Sequence, residues 1–568
     1  MSVDIEKLTR KDDIVILDGY TDEPSILGVP PYIAPLPRYL YGSLQELNVG
    51  AKYFTIDQAR LYPEVRKTIA NAGMLLIIAG ALLPGKYIRG LPISYNEIIY
   101  YARMCPFSIL GGSVAGFGYY NKGDMKGEYY PPSYFEPHFS ELVTGDLDAV
   151  VYDFFKTGDF DNNRHRTSEE LSRWSKLGAS VVKQHPDTAL NYTVADLDLF
   201  NGCVRYFTGG CSFCIEPTRG RPVFRPRDDV AAEVKSLCEA GIRNYRLGGA
   251  SCIFSYRTTE LGSTETPVPN VTEIAALLKG IRNACPDLKV LHTDNANPAI
   301  IANHPEESRE VLKALLTYCT GGNILSFGLE SADPRVYCEN NLNATAEQCY
   351  QAIKLVNEAG SLRSQTGMPY LLPGINILYG LKGETKQTYE ENYNFLKRVL
   401  DDGLLLRRIN LRQVLNFRGK TTRKQLKRFH GHKQRVLDEI EHPLLERLLP
   451  PGTVLHDLFV EIYKMNITYA RQAGTYPIMV KIPEKLPLDI TYSAVVISHN
   501  KKSINALTVP VKINQLSLPA LRSITGIGNK RAQKMIQSRP FQSIDGLLST
   551  LDSPLDCLNW LAPHLDFS

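Results

Sequence analysis

Between Leu197 and Leu415, short apolar runs alternate with amphipathic stretches about six times. That pattern requires a parallel sheet covered by helices and suits an incomplete barrel, a partial (βα)6. The strand candidates are Leu199 to Cys203, Asn244 to Leu247, Lys289 to His292, Ile324 to Leu329, Ile375 to Tyr379 and Leu405 to Leu411. Helical stretches between them include Asp229 to Ala240, Val271 to Ala284, Ser308 to Tyr318, Ala346 to Ala359 and Thr385 to Leu400. Functional groups belong at the C-terminal strand ends of such a barrel, where side chains from all strands converge. The polar and glycine-rich residues of this chain fall there.

At the first of those ends stand Cys203, Cys211 and Cys214, spaced C-x7-C-x2-C. Three thiolates grouped this tightly can hold three irons of a four-iron cluster and leave the fourth iron open for reaction. No Cys or His occurs between Cys214 and Cys238 to close the site locally, as a structural zinc would want. On spacing alone, a zinc site completed from a distance and three unliganded thiols stay open as readings. With Phe213 before the last cysteine and Gly209 and Gly210 before the second, the run resembles the cluster loop of radical S-adenosylmethionine (radical SAM) enzymes. That family more often spaces its first two cysteines by three residues. The seven here lengthen the loop without removing a ligand.

The resemblance extends along about 220 residues. Gly248 and Gly249 follow the second strand, where the family's Gly-Gly-Glu binds the amino group of SAM; here the third residue is Ala250. His292 and Asp294 end the third strand and read equally as structural or substrate-facing. Gly328-Leu329-Glu330-Ser331 resembles the segment that contacts the ribose or amino acid part of SAM, and the run from Gly374 to Glu384 resembles the one that packs near adenine. Gly248, Gly249, Glu330, Ser331, Asn376 and Gly380 are therefore the expected SAM contacts, and Cys203, Cys211 and Cys214 the expected ligands of a [4Fe-4S] cluster. What the resemblance implies is one-electron cleavage of the sulfonium, fed by an electron donor protein, to give methionine and a 5'-deoxyadenosyl radical that takes a hydrogen atom.

Ahead of this core, about residues 1–195 read as alternating strand and helix. Strand candidates are Ile14 to Leu17, Lys52 to Ile56, Leu75 to Ala79, Phe107 to Leu110 and Ala149 to Tyr152, with a helix from Pro35 to Leu47. This predicts an α/β doubly wound domain. Together with Gly28 to Tyr32 it resembles the cobalamin-binding-type domain that precedes some radical SAM cores. The family's Asp-x-His-x-x-Gly signature is missing, so cobalamin is a minority option. The region offers only Cys105, so the second cluster of the methylthiotransferases cannot be built there in the same way.

Beyond the core, the span from Gly403 to Leu437 holds eleven Lys or Arg and no Asp or Glu, with Arg423, Lys424, Lys427 and Arg428 at its densest part. It reads as a phosphate-backbone surface or as a solvated basic helix. Alternating segments from Pro451 to Val509, including Val454 to Tyr463, Thr475 to Ile482, Thr491 to Ile497 and Ile504 to Val511, imply a small β-barrel, which resembles the TRAM-type barrel of some tRNA-modifying radical SAM enzymes and reads equally as a plain barrel spacer. Leu521 to Ala532 resembles a helix-hairpin-helix, with Gly526 and Gly528 in the turn and Lys530 and Arg531 opening the second helix; such a turn can present backbone N–H groups to phosphate, and the motif also serves in protein contacts.

The expected order is a Rossmann-like domain (1–195), a radical SAM core (196–415), a basic helical linker (416–450), a TRAM-like barrel (451–512) and a helix-hairpin-helix (513–568). It resembles an archaeal-type group of iron–sulfur oxidoreductases. A hydrophobic fraction of 43% with 22% charged residues is that of a soluble globular protein, and a formal charge of +4 says nothing of partners. Scattered cysteines suit a reducing cytoplasm. The apolar run Met74 to Leu83 is too short to cross a bilayer. The leading expectation is radical modification of a nucleotide in RNA, above all tRNA methylthiolation or methylation, with RNA or DNA backbone as partner. A protein or small-metabolite substrate is the second, and a nucleic-acid-binding protein with a structural or redox-sensing cluster the third.

Overall fold

The computed structural model describes residues 14–21, 26–80, 88–120, 128–414, 423–551 and 557–568. The chain folds as two compact units, one made of residues 1–209 and 214–295, the other of 210–213, 296–414 and 421–568.

In the first unit a five-stranded sheet is built from β1 (Ile14–Asp18), β2 (Lys52–Thr55), β3 (Met74–Ile78), β4 (Ser108–Gly111) and β5 (Glu141–Leu142), in the order β2-β1-β3-β4-β5. Every pairing is parallel. β1 and β3 are buried along their whole length, as strands covered on both faces must be, which explains their unbroken apolar runs. Helix α1 (Pro35–Glu46) matches the helix expected at Pro35 to Leu47. The strand expected at Ala149 to Tyr152 is instead part of helix α2 (Leu147–Thr157), ended by Gly158 at φ 84°. Its buried residues Leu147, Val150, Val151 and Phe154 follow helical spacing, and the left-handed glycine closes the last turn.

A second sheet of this unit contains β6 (Val194–Asp198), β7 (Asn244–Gly249) and β8 (Val290–His292), in parallel, with Tyr32–Ile33 at the β6 edge. Helices α3 (Arg227–Glu239) and α4 (Val271–Ala284) precede β7 and β8. The first core strand therefore lies about five residues before its expected place at Leu199 to Cys203. Asp196 and Asp198 disguise it as a loop, yet both carboxylates are buried.

In the second unit β9 (Asn323–Glu330), β10 (Leu371–Tyr379) and β11 (Arg408–Gln413) run parallel, with helices α5 (Pro305–Tyr318), α6 (Ala346–Gly360) and α7 (Lys386–Asp401) among them. α6 starts at a capping box in which Thr345 accepts from the Gln348 N–H and the Gln348 side chain accepts from the Thr345 N–H. Helix α8 (Arg423–Val436) follows.

β12 (Val454–Lys464), β13 (Ile467–Gln472), β14 (Met479–Ile482), β15 (Thr491–His499) and β16 (Ser503–Thr508) close into a barrel in the order β12-β13-β14-β16-β15. β14 and β16 pair in parallel and the other neighbours antiparallel. β13 has no counterpart in the sequence reading. It is joined to β12 by Met465 and Asn466, both at positive φ (53° and 61°), a tight turn with no glycine to announce it. The expected strand at Thr475 to Ile482 shortens to β14, and the one at Ile504 to Val511 becomes β16. Helices α9 (Leu518–Ser523) and α10 (Asn529–Gln537) seat Ile524, Ile527, Ala532 and Met535 in one apolar cluster with Val495, Ile497 and Leu507 of the barrel.

Among the described residues, no helix is long and apolar enough to cross a membrane.

Candidate functional site

The cysteine loop begins after Phe200–Asn201 and is bracketed by glycines at positive φ: Gly202 (92°), Gly209 (80°) and Gly210 (58°). Residues with a Cβ rarely adopt these angles, so the glycines allow the chain to fold back twice within a few residues. In the first unit, the Ser251 hydroxyl donates to the Gly202 carbonyl at 2.8 Å, tying the loop to the end of β7. The Gly202 N–H donates to the Glu216 carboxylate at 3.0 Å. The Arg205 N–H points at Sγ of Cys203, 3.5 Å away, while burial pushes that thiol above its ordinary range.

The segment Gly210 to Phe213, which belongs to the second unit, is held by two asparagines absent from the sequence reading. The Ser212 N–H donates to the Asn340 carbonyl at 3.0 Å and its hydroxyl to Asn340 Oδ1 at 2.9 Å. Asn341 Nδ2 donates to the Gly210 carbonyl at 2.9 Å. Asn340 also donates to the Lys382 carbonyl, so one side chain joins the cysteine loop to the turn after β10. The Asn-Asn pair just after a helix end was the available signal. Phe213 packs with Val336, Leu342 and Leu381, which gives the aromatic residue before Cys214 an anchoring role.

At the end of β7, the glycine pair serves the protein's own charges. A Cβ on Gly248 would stand 1.9 Å from Nη1 of Arg246 and 2.4 Å from Oδ1 of Asp196; one on Gly249 would stand 2.0 Å from Oδ1 of Asp198. Arg246 is fully buried between Asp196, 2.8 Å from Nη1, and Asp294, which pairs with Nη2. Burial pushes the Asp196 carboxyl up to about 6 against the pull of Arg246. The Gly248 N–H donates to Asp196 at 3.2 Å. Asp294 thus has a structural partner, one of its two expected roles, and His292 is buried beside it in sequence.

At the end of β9, Glu330 adopts φ 63°, a left-handed conformation uncommon for a residue with a side chain. Its carboxyl is buried, and Oε2 has no hydrogen-bond partner among the described residues. Burial raises it to about 8, with Arg412 opposing. Ser331 is buried next to it and its hydroxyl accepts from the Asp333 N–H at 3.2 Å. An amide ladder crosses the sheet below, from Asn410 Nδ2 to Asn376 Oδ1 (2.9 Å) and from Asn376 Nδ2 to the Ser326 hydroxyl (3.2 Å). Gly380, at φ 91°, ends β10 and donates its N–H to Glu384. Glu330, Ser331 and Gly380 thus share the C-terminal ends of two adjacent parallel strands, where barrel enzymes carry their chemistry, and Asn376 lies three residues before the end of β10.

Helix α8 is attached at the same strand ends. His432 is buried, with Nε2 2.6 Å from the Tyr379 hydroxyl, and its ring meets Tyr389 edge-on. Burial lowers His432 to about 4, so the imidazole is neutral and the phenol donates. Lys427 is exposed, and Arg428 lies over the Tyr389 ring, 5.7 Å from its centre. Other members of the basic run are spent on the fold: half-buried Arg407 donates to the Tyr476 carbonyl, Arg408 stacks on the Tyr476 ring, and Arg435 pairs with Glu390 at 3.0 Å. Arg418 and Lys420 lie outside the described residues, as do the side chains of Arg423 and Lys424. In the hairpin between α9 and α10, Gly526 has φ 86°, Gly528 and Lys530 are exposed, and Arg531 donates back to the Gly526 carbonyl at 2.8 Å.

The radical SAM superfamily profile matches residues 198–396, a span that holds the cysteine loop, the glycine pair and Glu330. An uncharacterized protein of Methanocaldococcus jannaschii is 43% identical over 514 residues, covering 87% of this chain and 93% of its own. The chain belongs to the radical SAM superfamily. A tRNA-2-methylthio-N(6)-dimethylallyladenosine synthase from Bordetella avium is 25% identical over 246 residues, 41% of this chain and 46% of that one. Among solved structures, the radical S-adenosylmethionine methyltransferase TsrM from Kitasatospora setae aligns with a TM-score of 0.44 at 14% identity, over 68% of this chain and 71% of its own. As a radical SAM enzyme the protein uses a [4Fe-4S] cluster and S-adenosylmethionine. Its residues fit them: three half-buried thiols on one loop, none in a disulfide, and at a strand end a buried carboxyl with an oxygen to spare.

Proposed function

We propose that this radical SAM enzyme modifies a nucleotide in RNA, with tRNA as the first substrate to test and methylthiolation or methylation as the first reactions. The observation that carries the reading is the attachment of basic helix α8 to Tyr379 at the strand ends through His432, which brings Lys427 and Arg428 to the side of the core where chemistry occurs. The partial similarity to a tRNA methylthio synthase supports it. So does the closed five-stranded barrel, an architecture that oligonucleotide-binding folds use.

In this reading Cys203, Cys211 and Cys214 hold three irons of the cluster. Gly248, Gly249, Glu330, Ser331, Asn376 and Gly380 frame SAM. When bound, the pair supplies a 5'-deoxyadenosyl radical that takes a hydrogen atom from substrate. The chain's own tasks are positioning and exclusion of water. Glu330, protonated below about pH 8, can donate to or accept from a sugar hydroxyl without burying a charge. The Asn340 bridge keeps the loop around Cys211 in register with the β10 turn. Arg423, Lys424, Lys427 and Arg428, with Gly526, Gly528, Lys530 and Arg531 of a helix-hairpin-helix, contact the phosphate backbone. The compartment is the cytoplasm, and the electron comes from a donor protein.

The test compares modified nucleosides in total tRNA from cells with and without the gene. It is paired with an anaerobic assay of the reconstituted enzyme for 5'-deoxyadenosine. Loss of a methylthio- or methyl-bearing nucleoside, restored by the wild-type chain, is the expected result. Formation of 5'-deoxyadenosine with an unchanged tRNA profile would move the substrate to a protein or metabolite.

A further inference from the structure

Away from the cluster loop, the first unit brings together two cysteines 47 positions apart in the sequence. Cys238 lies in the last turn of α3, and Cys285 is the residue that ends α4. The two helices lead into neighbouring strands β7 and β8, whose first residues Asn244 and Val290 are partners in register. Both thiols face one oxygen: Oδ1 of Asp287 is 3.7 Å from Sγ of Cys238 and 3.6 Å from Sγ of Cys285. The three potential ligand atoms all lie within 4.8 Å of one another.

A tetrahedral zinc ion with Zn–S of about 2.3 Å and Zn–O of about 2.0 Å requires sulfur–oxygen edges of about 3.5 Å. The observed distances differ from that by only a tenth or two of an ångström.

The surroundings hold this arrangement ready. Arg243 Nε donates to Oδ2 of Asp287 at 2.6 Å, which turns Oδ1 toward the sulfurs, and Nη1 donates to the Cys238 carbonyl at 2.6 Å. One guanidinium thus fixes a carboxylate ligand and the backbone of a thiol ligand, the outer support that protein metal sites commonly show. The Lys289 N–H donates to the Arg243 carbonyl at 2.8 Å and locks the two loops together. Charge balances too: two thiolates, one carboxylate and Arg243 sum to minus two, which a divalent cation neutralises. Cys285 is buried, Cys238 partly so, and Asp287 is 65% exposed, so solvent can provide a fourth ligand.

We propose that Cys238, Cys285 and Asp287 bind a thiophilic divalent cation, zinc, at the N-terminal edge of β7 and β8. The site is structural. It clamps the ends of α3 and α4 at the face of a parallel core where residues serve stability, about 17 Å along β7 from the glycine pair at the other end. Binding replaces two S–H bonds by two Zn–S bonds and releases two protons to solvent, with no change of oxidation state. A disulfide between the same cysteines would need an oxidant and would gain nothing from the carboxylate between them.

The test uses full-length enzyme, anaerobically purified with its iron–sulfur cluster filled, so that Cys203, Cys211 and Cys214 cannot take zinc. Zinc and iron per chain are counted by mass spectrometry after dialysis against micromolar zinc. One zinc beyond the cluster iron is expected. Cys238→Ser should remove it with iron unchanged, and Asp287→Asn, at an exposed position that tolerates the change, should weaken zinc binding about tenfold or more. Cobalt in place of zinc should give the visible absorption of a tetrahedral thiolate site, lost in Cys238→Ser and needing more cobalt to develop in Asp287→Asn. No zinc in the wild type, equal zinc affinity of wild type and Asp287→Asn in competition with a chelator, or a chain two mass units lighter through a Cys238–Cys285 disulfide would each overturn the proposal.

Discussion

A methyl group on Gly328 would stand 2.8 Å from Oε1 of Glu330, two residues further along β9. The strand leaves out one side chain so that the next on that face can turn its carboxyl inward. Gly328→Ala should displace that carboxyl and weaken SAM binding about tenfold or more, with cluster iron unchanged. Equilibrium binding of SAM to the reconstituted enzyme checks it.

Glu330 should also leave a mark on stability against pH. Its folded value of about 8 lies above the ordinary 4.5, so between those pH values the folded chain holds a proton that the unfolded chain has released. The contribution of this group is complete below about pH 4.5 and is lost as pH rises toward 8. Glu330→Gln removes that dependence. Thermal unfolding of the SAM-free protein at pH 5 and pH 8 should therefore show a larger fall for wild type than for Glu330→Gln, a difference of order a few kcal/mol. Equal falls would mean the carboxyl is already ionised at pH 5.

Alanine at Cys203, Cys211 or Cys214 removes one of three expected ligands. Each variant should lose most of its iron, and 5'-deoxyadenosine formation should drop at least a hundredfold, while Cys105→Ala, whose buried thiol donates to the Ala72 and Phe107 carbonyls ahead of β3 and β4, should leave both unchanged. Iron content and product yield, measured side by side, test all four.

Lys427 and Arg428 differ from Arg435, which Glu390 and the Tyr393 ring already occupy. Joint replacement of the first two by alanine should weaken tRNA binding and reduce the slope of log affinity against log salt by roughly 1.4 to 1.8. Arg435→Ala should change the slope little. Titrations at several salt concentrations distinguish the two outcomes.

The parts of this fold legible in the sequence were those whose local pattern and burial agree. The apolar runs starting at Ile14, Leu75 and Ile324 became strands, and the helix over Val271–Ala284 falls where its spacing put it. Val194–Asp198 was hidden because a strand with two acids looks exposed until Arg246 and its neighbours are in place. The helix at Leu147 was hidden because four consecutive apolar residues fit either period. Of the candidate site, the cysteines and Glu330 were visible as residue types at motif spacing. Asn340, and the meeting of Cys238 with Cys285, depend on pairings distant in sequence that no local window contains.

Gly248→Ala offers a check on the glycine pair. Its methyl group would fall within 2.4 Å of both Arg246 and Asp196 and force the buried ion pair apart. Loss of about 3 to 5 kcal/mol in stability is expected, the usual cost of stranding a buried charge. Chemical denaturation measures it.

That same guanidinium works as a key cut for one alignment. Sliding β6 past β7 by a single position would turn Asp196 to the opposite face and leave Arg246 in the dry interior with half its counter-charge gone. Greasy strands alone could settle in several offsets of nearly equal energy. Here the misaligned ones are penalised before any cofactor arrives, so the scaffold that receives the cluster loop is chosen by electrostatics as well as by oiliness.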